Sequence, residues 1–144
     1  MVCTFFGHRN TPERIRPLLR EVLTELIEKR GVDKFYVGNQ GSFDYYVRKE
    51  LNDLSKYYPH IEYYIVLAYI PGKRDEDEDY YQAIYPGNLG PRRFAIDKRN
   101  RWMIERSDIV VTYVQFVYGG AAKFKELAEK KGKEIINLGD DKGV

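Results

Sequence analysis

The chain has 144 residues, 43% of them hydrophobic and 32% charged, enough apolar content for a packed core and the wrong composition for a disordered segment. A net charge of +2 is too small to argue for nucleic-acid binding, and the lone Cys3 excludes an internal disulfide framework and a zinc-ligand set. No apolar run approaches the roughly 18 residues of a membrane span and the N-terminus lacks a signal-peptide pattern, so a cytoplasmic protein with no membrane partner is expected.

Val2 to Phe6 reads as a short buried strand that ends in the turn Gly7-His8-Arg9. Thr11 offers an N-cap, with Pro12 at the first helical position and Glu13 in the first turn. Ile15, Leu18, Leu19, Val22, Leu23, Leu26 and Ile27 then recur at helical spacing up to Lys29-Arg30-Gly31, and Pro17 marks a kink or a later start. Phe35 to Val37 is a second strand, broken by Gly38-Asn39-Gln40-Gly41. The helix that follows is capped by Ser42 or Asp44 and ends at Tyr58-Pro59. Ile61 to Ile70 is almost continuously apolar, as in a strand covered on both faces.

Pro71 to Phe94 interrupts this rhythm with prolines, glycines and the charge run Lys73 to Asp79, and is expected to be a functional flap or loop. A helix from Ile96 to Arg106 follows, with Ile96, Arg99, Trp102 and Met103 on its inner face. Ile109 to Val114 forms a fourth strand, Gly119-Gly120-Ala121 opens a helix to about Lys131, and Glu134 to Leu138 forms a fifth. Asp140 to Val144 reads as a frayed tail. The alternation predicts one α/β domain over residues 1–144, a Rossmann-like three-layer sandwich with a mainly parallel five-stranded sheet.

In such sheets ligands bind beyond the carboxyl ends of the strands, where strand order switches. The three glycine turns fall on that edge, where glycine admits close backbone approach and the next helix presents free N–H groups to an anion. The expected ligand-binding set is therefore Gly7, His8, Arg9, Gly38, Asn39, Gly41, Ser42, Phe43, Asp44, Gly119, Gly120 and Ala121. Arg9 suits bidentate contact with a phosphate, and His8 suits donation to one or acid–base work. Asp44 suits either a helix cap or a ribose hydroxyl, and Phe43 either a stacked base or the core. Arg92-Arg93 and Arg99-Asn100-Arg101 form a basic cluster beside the expected flap, suited to closing over an anionic ligand or to offsetting the acidic run. Glu105 and Glu126 are the carboxylates best placed in sequence to reach the crevice. No P-loop, nucleophile elbow, Gly-x-Gly-x-x-Gly fingerprint or metal-ligand set is present, so no metal and no cofactor is expected. Thirteen tyrosines suit ligand walls or a subunit interface, and a homo-oligomer is expected.

Several stretches together resemble the SLOG superfamily, named for its likeness to DNA-processing proteins and Lonely Guy cytokinin-activating enzymes. They are Thr4-Phe5-Phe6-Gly7-His8-Arg9, Val37 to Asp44, Arg99 to Asp108, Tyr118-Gly119-Gly120-Ala121-Ala122 and Gly132 to Leu138. The match is closest to a small stand-alone bacterial and phage branch. The resemblance implies a Rossmann-like domain with a nucleotide or nucleotide-derived ligand at Gly7 to Arg9, Gly38 to Asp44 and Gly119 to Ala121. Some relatives are phosphoribohydrolases with a glutamate after a Pro-Gly-Gly-x-Gly-Thr turn. This chain lacks that turn's proline, third glycine and threonine, and its nearest following glutamate, Glu126, stands one position late. The expected function is thus sensing or sequestering of a nucleotide-like small molecule, without direct nucleic-acid binding. Two alternatives stand beside it: a phosphoribohydrolase or deoxyribosyltransferase-like enzyme that cleaves an N-glycosidic bond, and a protein-interaction module with a vestigial pocket.

Overall fold

The computed structural model describes residues 1–69, 82–87 and 89–141. Its strands are β1 (Val2–Gly7), β2 (Lys34–Val37), β3 (Glu62–Val66), β4 (Ala83–Ile84), β5 (Ile109–Tyr113) and β6 (Glu134–Asn137). Its helices are α1 (Arg16–Lys29), α2 (Gly41–Tyr57), α3 (Arg92–Glu105) and α4 (Gly120–Lys130). All strand pairs are parallel and the order is β4-β3-β2-β1-β5-β6, so strand order switches between β1 and β5. The sheet has six strands rather than the expected five. The added one is the two-residue β4, which extends the sheet by pairing Ala83 with Ile65 and Ile84 with Val66. Two residues carry no periodicity for a sequence pattern to detect.

Alternation along each strand divides the interior into two cores. Cys3, Phe5, Phe35, Val37, Ile65, Val111 and Tyr113 pack with Leu19, Leu23 and Leu26 of α1 and with Phe43, Val47 and Leu51 of α2. Phe6, Val66 and Val110 face the other way, against Met103 and Ile104 of α3 and Phe124 and Ala128 of α4. This is the three-layer arrangement, with two helices on each face. Arg16 and Arg20 of α1 pair with Glu50 and Asp53 of α2 at 2.6 and 2.5 Å, fixing the outer seam of one layer.

Two helix starts differ from the expectation. α1 begins at Arg16, with Pro17 in its first turn and a short 3-10 turn, Glu13–Ile15, ahead of it. The Thr11 hydroxyl does not cap that helix but donates to the His8 carbonyl at 2.5 Å. α3 begins at Arg92, directly after Pro91, rather than at Ile96. Its buried face includes Arg99 and Asn100 beside Ala95, Met103 and Ile104, which breaks the apolar period that would have revealed it. Half of the expected flap, residues 71–81 and 88, lies outside the described residues; within the rest, Ala83–Ile84 forms β4 and Arg92 starts α3. No described helix is long and apolar enough to cross a membrane.

β1 and β5 run in register to their ends, with Gly7 opposite Tyr113. Phe43, wholly buried in α2, lies beneath that junction, and a Cβ at Gly7 would stand 2.2 Å from its Cγ. Gly7→Ala is therefore expected to cost about 1–3 kcal/mol by overpacking. Combined with Phe43→Ala it should cost less than the sum of the single changes by more than about 0.5 kcal/mol, since the second change removes the clash. Urea unfolding of the four variants reads this, and strict additivity would refute the contact.

Candidate functional site

The switch point opens a cleft of about 390 Å³ at the carboxyl ends of β1 and β5. Gly7, His8 and Arg9 line it from β1, Gln40 and Asp44 from the β2–α2 turn, and Arg99 and Asn100 from α3. Gly119, Gly120 and Ala121 close its fourth side, over a floor that includes Phe6, Met103 and Phe124.

The β1 turn is locked by its neighbours. The His8 N–H donates to the Tyr113 carbonyl at 3.2 Å, and the Gln115 N–H donates to His8 Nε2 at 2.8 Å. An accepting Nε2 leaves the ring neutral with its proton on Nδ1, and burial lowers the imidazole pKa in the same sense. The Arg9 carbonyl accepts from the Ser42 N–H at 2.8 Å and from the Ser42 hydroxyl at 2.9 Å. Gly41 has φ +84, and a Cβ there would lie 2.8 Å from Arg9 Cα. Gly41 and Ser42 thus hold the Arg9 backbone rather than line the cleft. The Arg9 guanidinium itself is exposed and makes no hydrogen bond or ion pair with any described residue.

Beneath Arg9 lies a buried charged group of residues. Arg99 of α3 is only 2% exposed; its Nε donates to Asn100 Oδ1 at 2.7 Å and its Nη1 to the Val66 carbonyl at 2.8 Å and Asn39 Oδ1 at 3.3 Å. Burial lowers the guanidinium pKa, while Asp44 opposes that shift by charge. Asp44 is 8% exposed, and its Oδ2 accepts the Gln40 N–H at 2.9 Å. Burial pushes its carboxyl up from 3.8 to about 6, against the pull of Arg99, the Gln40 N–H and Arg48. A Cβ at Gly38 would come within 2.8 Å of Asp44 Oδ2 and 3.2 Å of Arg99 Nη1. Gly38 and Asn39 therefore support this group from behind and do not line the cleft. Sequence reasoning placed Arg99 on an inner helix face and in a basic cluster suited to closing over an anion or to offsetting the acidic run, and left it out of the expected ligand-binding set. Its signal was an arginine at a position where the helical period calls for an apolar residue.

The two helix N-termini at the cleft are in opposite states. In α2 the first N–H groups are used within the fold: Gln40 donates to Asp44 and Ser42 to Arg9. In α4 the N–H groups of Gly120, Ala121 and Ala122 have no partner among the described residues. Gly119, at φ +97, turns the chain into this helix, and no atom lies within 4 Å of a Cβ built on either Gly119 or Gly120. The positive end of the α4 dipole thus faces open space in the cleft.

Besides Gly38, Asn39, Gly41 and Ser42, three further expected site residues lie outside the cleft lining. Phe43 lies in the core against Tyr113. Glu105 is exposed at the C-terminal end of α3, at the sheet edge opposite the cleft. Glu126 is exposed on the outer side of α4 and pairs with Lys130 at 3.2 Å. Among the lining residues Asp44 is the carboxylate that the cleft holds.

The fold has solved counterparts. DNA processing protein A (DprA) from Helicobacter pylori matches with a TM-score of 0.67 at 17% identity, covering 95% of this chain and 64% of that one. DprA from Streptococcus pneumoniae matches with a TM-score of 0.70 at 14% identity, covering 94% of this chain and 49% of that one. No protein-family model and no curated protein matches the chain. The shared feature is the Rossmann-like α/β fold that the SLOG resemblance implies, and this chain spans about half to two thirds of those proteins. The H. pylori protein binds single-stranded DNA, which overturns the expectation that direct nucleic-acid binding is absent. That expectation rested on a net charge of +2, a sum over the whole chain that says nothing of local charge around Arg9 and α4.

The folded chain holds the Asp44 proton more tightly than an unfolded chain does, since the carboxyl is raised from 3.8 to about 6. Stability from this group is therefore highest at low pH and falls as pH rises from about 4 to about 6. Relative to Asp44→Asn, the parent should lose roughly 2–3 kcal/mol across that window. Urea unfolding between about pH 4 and pH 7 measures it; a constant difference would show an unperturbed carboxyl.

Proposed function

We propose that the cleft binds a nucleotide unit, with its phosphate on the α4 N-terminus and the Arg9 guanidinium. One observation carries this reading: N–H groups and an arginine that have no partner among the described residues meet in one cleft, while the neighbouring Asp44, Arg99 and Ser42 are bonded within the fold. Backbone N–H donors at a helix start and a guanidinium fork are the two protein groups best matched to phosphate. Asp44 Oδ1 accepts no hydrogen bond from a described residue, which suits it to a ribose hydroxyl or a base N–H. The volume of about 390 Å³ fits a nucleoside monophosphate within the ordinary range of ligand pockets.

The SLOG resemblance and the likeness to DprA support the same ligand chemistry. They extend it from free nucleotides to nucleotides within a single strand. The reading is one of binding, as a sensor or a sequestering domain, because Glu105 and Glu126 both lie away from the cleft.

Titration of a nucleotide panel, followed by fluorescence or calorimetry, tests the proposal. Arg9→Ala and Gly120→Val are each expected to weaken binding by about tenfold or more, the loss of one charge-assisted hydrogen bond or of close backbone approach. Glu105→Gln and Glu126→Gln should bind as the parent does. Unchanged affinity in folded Arg9→Ala and Gly120→Val, or no nucleotide binding by the parent, would overturn it.

A further inference from the structure

The loop between β5 and α4 presents three large apolar side chains to water: Phe116 at 50% exposure, Val117 at 99% and Tyr118 at 70%. Its root is held firmly. Asn137 clamps Val114 through Oδ1 to the Val114 N–H and Nδ2 to the Val114 carbonyl, both at 2.9 Å, and the next N–H, of Gln115, is tied to His8. The rings are ordered in a ladder. His8 and Phe116 lie 5.1 Å apart between centroids, and Phe116 and Tyr118 lie 5.4 Å apart at 19°, nearly parallel. The ladder starts at the wall of the nucleotide cleft and runs outward from it.

On the far side of His8 and Arg9 lies a second cleft of about 340 Å³. His8 and Arg9 line both clefts, and Asn10, Arg14, Gln115, Phe116 and Tyr113 line the second. Tyr113 is 2% exposed, and its hydroxyl is buried with no hydrogen-bond partner. A buried phenol without a partner is costly to the fold unless something supplies one.

We propose that this second cleft and the ring ladder form a subsite for a further nucleotide of a single strand, so that the ligand is an oligonucleotide rather than a mononucleotide. The inference rests on the nucleotide reading of the first cleft. Its geometry repeats that of a single strand: an anion site at α4, a guanidinium shared between two clefts, and stacked aromatic faces beside it. Stacking platforms next to cationic grooves are the sequence-tolerant means of holding unpaired bases. The exposed polar side chains of Asn10 and Gln115 supply donors and acceptors for a base edge or a second phosphate.

Fluorescence anisotropy with a labelled oligothymidylate, and competition with thymidine monophosphate, tests the proposal. Phe116→Ala and Tyr118→Ala are each expected to weaken the oligonucleotide by roughly 5- to 150-fold and to leave the monophosphate affinity unchanged. Parent affinity no greater for the oligonucleotide than for the monophosphate would overturn the proposal, as would ring variants that bind the oligonucleotide as the parent does. A change of oligomeric state in those variants with oligonucleotide affinity intact would assign the rings to self-association and overturn it too. Gly120→Val separates the two readings. If it abolishes monophosphate binding while ring variants change nothing, only the subsite fails. If it changes nothing, the first cleft fails with it.

Discussion

The arrangement of this protein depends on one guanidinium kept out of water. Arg99 comes from a helix on one face of the sheet, reaches the carboxyl edge of β3 at Val66, and meets the β2–α2 turn at Asn39. Its charge is answered by Asp44, which belongs to a helix on the other face. A cation so deeply buried is tolerable only when acceptors surround it and an opposite charge lies near. Those requirements draw α3, β3, β2 and α2 to one point at the rim of the sheet, and the cleft is the space left above them.

The same requirement explains the unequal fate of the glycine turns. Gly38 has no side chain because Asp44 and Arg99 occupy the space a Cβ would need. Gly41 has none because the Arg9 backbone passes against it, and Gly7 none because Phe43 fills the room beneath. In these three, close approach is between parts of the fold. At Gly119 and Gly120 nothing approaches. A glycine-rich helix start that packs against nothing has its room to spare on the outside, where a ligand would come.

Much of the architecture was legible from apolar periodicity, because the strands are short, buried on both sides and alternate with amphipathic helices. β1, β2, β5, β6, α2 and α4 all fall within a residue or two of their sequence-derived ranges. The starts of α1 and α3 were not, for reasons of local chemistry. Thr11 spends its hydroxyl on the His8 turn rather than on a helix cap, and α3 buries polar Arg99 and Asn100 where a pattern reader looks for apolar residues. In the site, glycine turns marked the correct edge, since backbone demands are written in residue type. Distinguishing a turn that closes on itself from one that stays open requires knowing where each N–H goes, which sequence does not record. Glu105 and Glu126 show the same limit for side chains. A few residues' uncertainty in helical phase and end moves a carboxylate from the cleft to the opposite edge or the outer face.

The misreading of charge has a similar origin and bears on what the cleft can hold. Charges that pair cancel locally: Arg16 and Arg20 with Glu50 and Asp53, Arg30 with Glu134, Lys123 with Asp97. Summed over the chain they leave +2, a value that reflects mostly such internal bookkeeping. At the rim of the cleft the Arg9 guanidinium and the α4 N-terminus face the same opening with no partner among the described residues. A guanidinium charge and a helix dipole beside an aromatic ladder are the groups on which the proposed nucleotide site rests. A nearly neutral chain can therefore present a local positive field, because net charge records the sum of the charges and not where the individual cations and helix ends face.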